Sequence, residues 1–572
     1  MASFSRPALP RRPAVADLIV GIGTLGLVYG IVHVGAGMGA PLEAGRGPAI
    51  LLDPRMLPYY AGRSLLRMFL AFAFSILFTI VYGYIAAYSR SAERILIPLL
   101  DVLQSVPVLG FLSVTVAGFT ALFPNRLLGA ELASIFAIFT SQVWNMTFSF
   151  YHSLTVIPQD LREAARILRL DPWRRLTAVE LPYSMVGLVW NGMISFGGGW
   201  FFLAASEAIT VLGRDIRLPG LGSYLATAVE QADLRAVTWA VVTMVVVVVL
   251  VDQLFWRPVA AWTQRFKMEE VDDEEEPSSH VLDVLRRSRV AGAIWRRAVE
   301  PVWRAADAAL SGLAKVLEGR FASGAAPRVL TRATGAVVGA LVLRYAYLAL
   351  RMLGGMPPGA LTGVVGLGLL TLVRVLLSTA LAALWTVPVG VAIGLNPRLA
   401  RVMRPLVQIA ASFPANLVFP FLTALYLRYH VNFEIGTIPL MMLGTQWYVL
   451  FNVISGATAL PADLREAAAM LRLRGWARWR SVYLPAIAPS LVNGCIAAAG
   501  GAWNASIVSE IVTWGSTTLS VPGLGAFITQ AARVGDWAGI VWGITVMSTL
   551  VVLMNRLLWH TLFRTASAHY HA

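Results

Sequence analysis

Apolar runs long enough to cross a bilayer recur from Asp17 to Trp559, and they constrain the fold of this chain more than any other feature. A hydrocarbon core asks for about 20 mostly apolar residues per helical span. Roughly twelve such stretches begin near residues 16, 65, 96, 128, 183, 236, 332, 372, 404, 434, 486 and 537. Barrel strands would be about ten residues long and alternate in polarity. These runs are instead continuous and rich in Leu, Val, Ala and Gly, and a helix satisfies every backbone group within its own span. The expected fold class is therefore an all-α polytopic membrane protein of about 12 transmembrane helices. A soluble chain is excluded, because 57% of the 572 residues are hydrophobic and only 13% charged.

The net charge of +15 does not mark a nucleic-acid protein. The basic residues sit in short loops between spans, where the positive-inside rule accounts for them. Nearly all are Arg, the only lysines being Lys267 and Lys315. The single cysteine, Cys495, falls inside an expected span and allows neither an intramolecular disulfide nor a zinc site built on cysteines. At the N-terminus, Arg6, Arg11 and Arg12 precede an apolar run from Leu18 to Val34, the outline of a signal peptide. An uncleaved first span is the reading that keeps the later topology consistent. At the other end, His569 and His571 lie at a frayed terminus and are not read as a metal site.

The chain repeats itself. Pro158-Gln-Asp-Leu-Arg-Glu-Ala-Ala165 is matched by Pro461-Ala-Asp-Leu-Arg-Glu-Ala-Ala468, a spacing of 303 residues (163 to 466). The same spacing pairs Leu181-Pro182 with Leu484-Pro485, Trp200 with Trp503, Glu207 with Glu510, Asp233 with Asp536 and Trp256 with Trp559. Membrane helices resemble one another by chance through Leu, Val and Ala. Matched Trp, Pro, Glu and Asp at one spacing mean a tandem duplication. Upstream the spacing becomes 307, pairing Arg67 with Arg374 and Pro107 with Pro414.

Charge sets the topology. Arg162, Arg166, Arg169, Arg174 and Arg175, with Arg465, Arg472, Arg474, Arg478 and Arg480 in the copy, place both loops in the cytoplasm. With both termini inside as well, each half has six spans. An even number makes the repeats parallel, related by an axis along the membrane normal. The expected organisation is a first transmembrane domain over residues 1–260, a cytoplasmic linker over 261–330 and a second transmembrane domain over 331–572. The linker opens with an acidic run, Glu269 to Glu276. It continues from Val281 to Phe321 with apolar residues at helical spacing among many Arg, which suits either a helix on a partner or anionic leaflet or a solvated tether.

Glu163-Ala-Ala before Leu181-Pro182, and Glu466-Ala-Ala before Leu484-Pro485, each in a basic loop, resemble the EAA loop of permeases in binding-protein-dependent ABC importers. The resemblance covers nearly all of each repeat. Pro98 and Pro107, Pro405 and Pro414, and the Trp-x6-Glu of Trp200/Glu207 and Trp503/Glu510 are similar to the nitrate/sulfonate/taurine branch. It implies a type I importer-like permease in which the loop helix docks on an ATPase and transmits its closure. The coupling residues it points to are Asp160, Glu163, Ala164, Ala165, Arg169 and Pro182, with Asp463, Glu466, Ala467, Ala468, Arg472 and Pro485. Asp160 and Asp463 are suited to cap the short helix, whose small alanines allow close approach. The family usually has Gly where Arg169 and Arg472 stand, so the helix is expected to run longer and turn near Asp171-Pro172 and Gly475.

The chain has no P-loop, since Lys267 follows Phe266 and Lys315 follows Ala314. It is read as a transport subunit and not an enzyme, with ATP and Mg bound by a partner. The implied partners are two copies of an ABC ATPase, a periplasmic or surface substrate-binding protein and the lipid membrane, with no nucleic acid. The implied location is the bacterial inner membrane.

Polar or glycine-linked positions inside spans mark the candidate pathway: Asp101, Gln104, Trp144, Asn145, Gly198, Trp200 and Glu207, then Gln446, Trp447, Gly501, Trp503 and Glu510. Glu207 and Glu510 fit two roles equally, a gate across the repeat axis or a cap on the external loop. The branch implies a small anion or related solute of the nitrate, sulfonate, taurine or bicarbonate class, for which Arg214, Arg217, Arg235, Arg428 and Arg533 stand in the expected external loops, while Glu207 and Glu510 leave a cation or a neutral heterocycle open. The alternative is a secondary transporter with parallel repeats, which would need charged groups in mid-span and no docking helix.

Overall fold

The computed structural model describes residues 15–39, 41, 48–124, 126–211, 214–266, 279–322, 339–340, 344, 347, 351 and 358–570. The acidic run at 269–276, most of the expected span from 332, Lys267 and His571 lie outside them, as do the side chains of Lys315 and His569.

The first half comprises α1 (Val15–Ala36), α2 (Leu57–Tyr88), α3 (Arg90–Ser105), α4 (Leu112–Leu122), α5 (Leu128–Thr155), α6 (Gln159–Ile167) and α7 (Leu181–Glu207). A hairpin of β1 (Ala208–Val211) and β2 (Arg214–Arg217) follows, then α8 (Leu221–Glu230) and α9 (Leu234–Val251). The linker holds α10 (His280–Arg287), α11 (Arg289–Ile294) and α12 (Glu300–Ala322). The second half repeats the order: α13 (Pro358–Leu395), α14 (Pro397–Ser412), α15 (Phe419–Tyr429), α16 (Phe433–Thr458), α17 (Ala462–Met470), α18 (Leu484–Ser509), β3 (Ile511–Trp514), β4 (Thr517–Ser520), α19 (Leu524–Val534) and α20 (Trp537–Met554). Both hairpins are antiparallel in one register, Ala208 opposite Arg217 and Ile511 opposite Ser520.

The all-α polytopic expectation holds. Among the described residues, eight helical segments have both the length and the hydropathy of a span. The third expected span of each half is not one helix. α3 stops at Ser105 and α14 at Ser412, and Pro107 and Pro414 each open a short irregular stretch before α4 and α15. The cause is local: a residue before proline is driven into extended backbone, and Val106 and Phe413 have ψ of 122° and 127°. The sequence reading took the apolar character of these stretches as continuous helix.

In each half the long helices pack as a row, α2 on α5 on α7 and α13 on α16 on α18. A second prolyl signature shapes the last helix of each row. Leu-Pro lies just after a π-helical turn, Leu176–Glu180 and Trp479–Tyr483, in which Leu181 N–H donates to the Leu176 carbonyl and Leu484 N–H to that of Trp479. Proline has no N–H and its ring crowds the preceding turn, so the widened turn absorbs the misfit. Both helices thereby continue from the basic loops through to Glu207 and Ser509.

Candidate coupling helices and inter-half cavity

The candidate coupling helices α6 and α17 lie in the basic loops and are largely exposed. The last alanine of each motif packs inward, Ala165 and Ala468, while Glu163, Ala164, Glu466 and Ala467 are exposed. Asp160 and Asp463 do not cap. Pro158 and Pro461 occupy the N-cap positions, and the two aspartates lie in the first turn with no capping bond, where their charge favours the positive end of the helix dipole. Pro182 and Pro485 open α7 and α18.

Arg169 and Arg472 overturn one expectation. The helices do not run on, because both arginines take the left-handed conformation, φ 48° and 50°. Around each, a Schellman pair closes the helix: Arg169 N–H donates to Arg166 and Leu170 N–H to Ala165, and Arg472 N–H donates to Ala469 and Leu473 N–H to Ala468. The helix therefore ends where a glycine would end it, and arginine bears the strain. A left-handed L-residue costs roughly 1–2 kcal/mol, partly offset by the flexibility glycine brings to the unfolded chain. Arg169→Gly and Arg472→Gly are each expected to raise the unfolding free energy by about 0.5–1 kcal/mol, measurable by urea unfolding in detergent. A decrease would mean the arginines hold the turn through their side chains.

The termination leaves an apolar pair at the end of each helix, which sequence reasoning missed. Ile167 is 81% exposed beside exposed Leu168, and Met470, 303 residues on, is 81% exposed beside exposed Leu471. Two bulky apolar residues at one repeat position beyond each Glu-Ala-Ala were the available signal.

On the opposite face, Glu207 and Glu510 act as caps. Glu207 Oε1 accepts from Arg67 (2.6 Å) and Ser64 Oγ (2.6 Å), and its Oε2 accepts from Gly222 N (2.7 Å) at the start of α8. Glu510 Oε1 accepts from Thr371 Oγ1 (2.8 Å) and Arg374 (3.1 Å), and its Oε2 from Gly525 N (2.8 Å) and Ala526 N (3.2 Å). Arg67 and Arg374 also donate to the carbonyls of Pro219 (3.0 Å) and Pro522 (2.8 Å). A side chain at Gly222 or Gly525 would collide with the backbone carbonyl of Ala204 or Ser506, which is why Pro-Gly-Leu-Gly stands at both sites. The first half adds a second layer, in which buried Glu131 pairs with both Arg63 and Arg67. Its repeat partner Glu434 is exposed, because Leu370 stands where Arg63 would be. Sequence reasoning used Arg67 and Arg374 to fix the register and missed their role.

Between the halves lies a cavity of ≈ 70 Å³. It is lined by Gly197, Gly198, Phe201 and Phe202 of α7; Gln408 and Ser412 of α14; Phe413 in the break; Trp447, Tyr448 and Phe451 of α16; and Gly501 and Asn504 of α18. Among the described residues, none that lines it is charged. The glycines let the halves approach: a Cβ on Gly197 would sit 3.0 Å from Ser412 Oγ, and one on Gly198 3.3 Å from Tyr448 Oη. Asn416 donates across the seam to the Phe201 carbonyl (3.3 Å).

Of the expected pathway residues, Gly198, Trp447 and Gly501 line this cavity. The others lie elsewhere. Trp200, Trp503, Glu207 and Glu510 are fully buried, Trp200 in a smaller cleft that Gln408 and Ser412 of the second half also line, and Gln446 accepts from Trp385 Nε1 (3.0 Å). Trp144 stands edge-on to Phe78, Gln104 and Asn145 are exposed, and the Asp101 side chain lies outside the described residues. Of the external arginines, Arg217 is held by Thr227 and Glu230, while Arg235, Arg428 and Arg533 are exposed away from the cavity; the Arg214 side chain lies outside the described residues. Sequence reasoning missed Phe201, Phe202, Ser412, Phe413, Tyr448 and Asn504, because a helix's amphipathicity does not say which neighbour lies across a seam.

The chain matches the family described as "Binding-protein-dependent transport system inner membrane component" twice, over residues 79–256 and 386–561. It is 26% identical over 203 residues to a bicarbonate transport system permease protein of Synechococcus elongatus, covering 36% of this chain and 66% of that protein. It is 25% identical over 194 residues to a nitrate import permease protein of Synechocystis, covering 33% of this chain and 64% of that one. A taurine transport system permease protein of Escherichia coli is 26% identical over 192 residues, 33% of this chain and 66% of its own length. The match thus spans just under two thirds of each relative.

Proposed function

Because the chain belongs to the family of binding-protein-dependent transport system inner membrane components, present twice in tandem, we propose that it is a two-domain ABC importer permease coupled to two copies of a separate ATPase. Residues 1–260 and 331–572 form the transmembrane domains and 261–330 the cytoplasmic linker. The observation that carries this reading is the pair of exposed helices α6 and α17, alike in length, termination and apolar tip, on one face of a chain without a P-loop. A rigid helix under load transmits displacement without bending, and its buried alanine seats it against the membrane domain. ATP and Mg belong to the ATPase, and a substrate-binding protein delivers the solute on the hairpin face. Both termini and the coupling loops face the cytoplasm of a bacterial inner membrane, as the arginine distribution favours.

The solute is a small anion of the bicarbonate, nitrate, sulfonate or taurine class, supported by the three relatives named above. Among the described residues, the donors the cavity offers it are neutral, the Gln408 and Asn504 amides and the Ser412 and Tyr448 hydroxyls. Passage requires binding favourable enough to enter and weak enough to leave, and neutral donors meet that requirement. The test is ATP-dependent uptake of labelled bicarbonate, nitrate and taurine into proteoliposomes holding the chain, its ATPase and its binding protein. Uptake that persists without ATP on an imposed ion gradient would instead identify a secondary transporter. Gly198→Trp, which fills the cavity beside Tyr448, is expected to cut uptake at least tenfold with ATPase association unchanged. Undiminished uptake would move the pathway elsewhere.

A further inference from the structure

The two coupling loops, alike in sequence, are unlike in what covers the turn after the helix. In the first half that turn, residues 171–175, is occupied by the chain's own linker. Trp173 Nε1 donates to Asp307 Oδ1 of α12 (2.8 Å), and Ser311 Oγ of α12 donates to Asp171 (3.3 Å). Asp171 is buried beneath the contact and also accepts from Arg174 N (2.9 Å). The linker is fixed at its other end as well. Asp17 of α1 caps α11, accepting from Ser288 Oγ (2.9 Å), Arg289 N (2.6 Å) and Val290 N (3.2 Å). Through the π turn Trp295–Val299, α11 leads into α12. Far from being a loose tether, the described linker is a strap from α1 to the first coupling loop.

The second loop keeps the tryptophan and changes its surroundings. Trp476, the repeat partner of Trp173, is 70% exposed, and Arg474 stands where Asp171 was. Gly475 replaces Pro172 with φ 53°. A half-buried indole whose N–H meets a helix-borne carboxylate has become an open indole beside a cation.

Resting on the coupling reading above, we propose that this turn is a docking surface for a helix that presents a carboxylate to the indole N–H, filled in the first half by α12 and in the second by the ATPase. The first loop shows the kind of occupant, a helix presenting a carboxylate to the tryptophan N–H. At the second, Arg474 adds a charge that such a carboxylate complements, and the indole offers the large apolar area typical of interface anchors. The surface is continuous with the exposed Met470 and Leu471 tip, so one partner can cover both. The coupling helices themselves stay open on both sides, since Ile167 is exposed despite the strap. The two ATPase copies therefore bind unequally, one on the bare helix and one on helix plus turn.

The test uses the full chain in nanodiscs and its ATPase, with association followed by biolayer interferometry. Trp476→Ala and Arg474→Glu are each expected to weaken binding at least tenfold, and Arg474→Lys to restore most of it. Trp173→Ala and Asp307→Ala are expected to leave binding within twofold while exposing a cysteine at position 311 to maleimide, against a background of one buried native cysteine. Equal effects of Trp173→Ala and Trp476→Ala, or none from either, overturn the proposal. So does bilayer protection of Trp476 from acrylamide quenching without ATPase, which would make lipid the occupant. Ile167→Asp with Met470→Asp separates the two claims. Binding lost in that variant but indifferent to Trp476→Ala sinks the docking surface and leaves the coupling helices standing, whereas no binding by the unaltered chain overturns both.

Discussion

Arg67→Met is expected to lower the unfolding free energy of this chain by about 3–5 kcal/mol, the usual cost of removing one partner from a buried ion pair. Arg67 is fully buried and bridges Glu131 and Glu207. Without it, two buried carboxylates face a single arginine, Arg63. Desolvated charge is tolerated only when matched, so the local imbalance of one negative charge is the source of the loss. Arg374→Met is expected to cost less, about 1.5–3 kcal/mol, because Glu510 keeps Thr371 and two backbone N–H donors. Adding Glu207→Gln to Arg67→Met should recover part of the loss by removing the unmatched charge. SDS-driven unfolding in mixed micelles gives the ranking. Equal losses at the two arginines would show that the Glu131 layer contributes nothing.

Ile167→Asp combined with Met470→Asp is expected to abolish ATPase association, with the melting temperature within a degree or two of the unaltered chain. An apolar anchor at an interface is worth about 2 kcal/mol or more, so two together weaken binding by roughly three orders of magnitude. Neither residue supports the fold, as both are 81% exposed. Glu163→Ala with Glu466→Ala tests the same surface more gently. Both carboxylates are exposed, and a fall in coupled ATP turnover of about tenfold is expected with assembly retained. Pull-down of the ATPase together with turnover in proteoliposomes measures both. Intact assembly of the aspartate variant would remove α6 and α17 as coupling elements.

The contrast between Arg169 and Glu207 shows how far residues alone could carry the site. Arg169 was recognisable as a departure from a glycine position, but not that the chain would force it to φ 48°. Chain direction after the helix is imposed by the packing of α7 and its preceding π turn, which outweighs the preference of one residue. Glu207 was recognisable as a matched acid beside a glycine run. Whether it faced a pathway or capped a helix depended on α2 and α8, which approach it from 143 and 15 residues away in the chain.

The sequence by itself determined the membrane class, the tandem repeat, the two short Glu-Ala-Ala helices and their position in basic loops. Those follow from hydropathy, spacing and local helix chemistry, all of which act over a few turns of chain. Only the tertiary structure decided which side of each span faces the other half and that the glutamates cap. It also decided that the described residues lining the cavity are uncharged and that the linker covers the turn after α6 but not the turn after α17. These depend on contacts between segments far apart in the chain. Near-uniform apolar helices carry no strong stripe to orient them, so packing of small residues and pairing of a few buried charges sets their rotation.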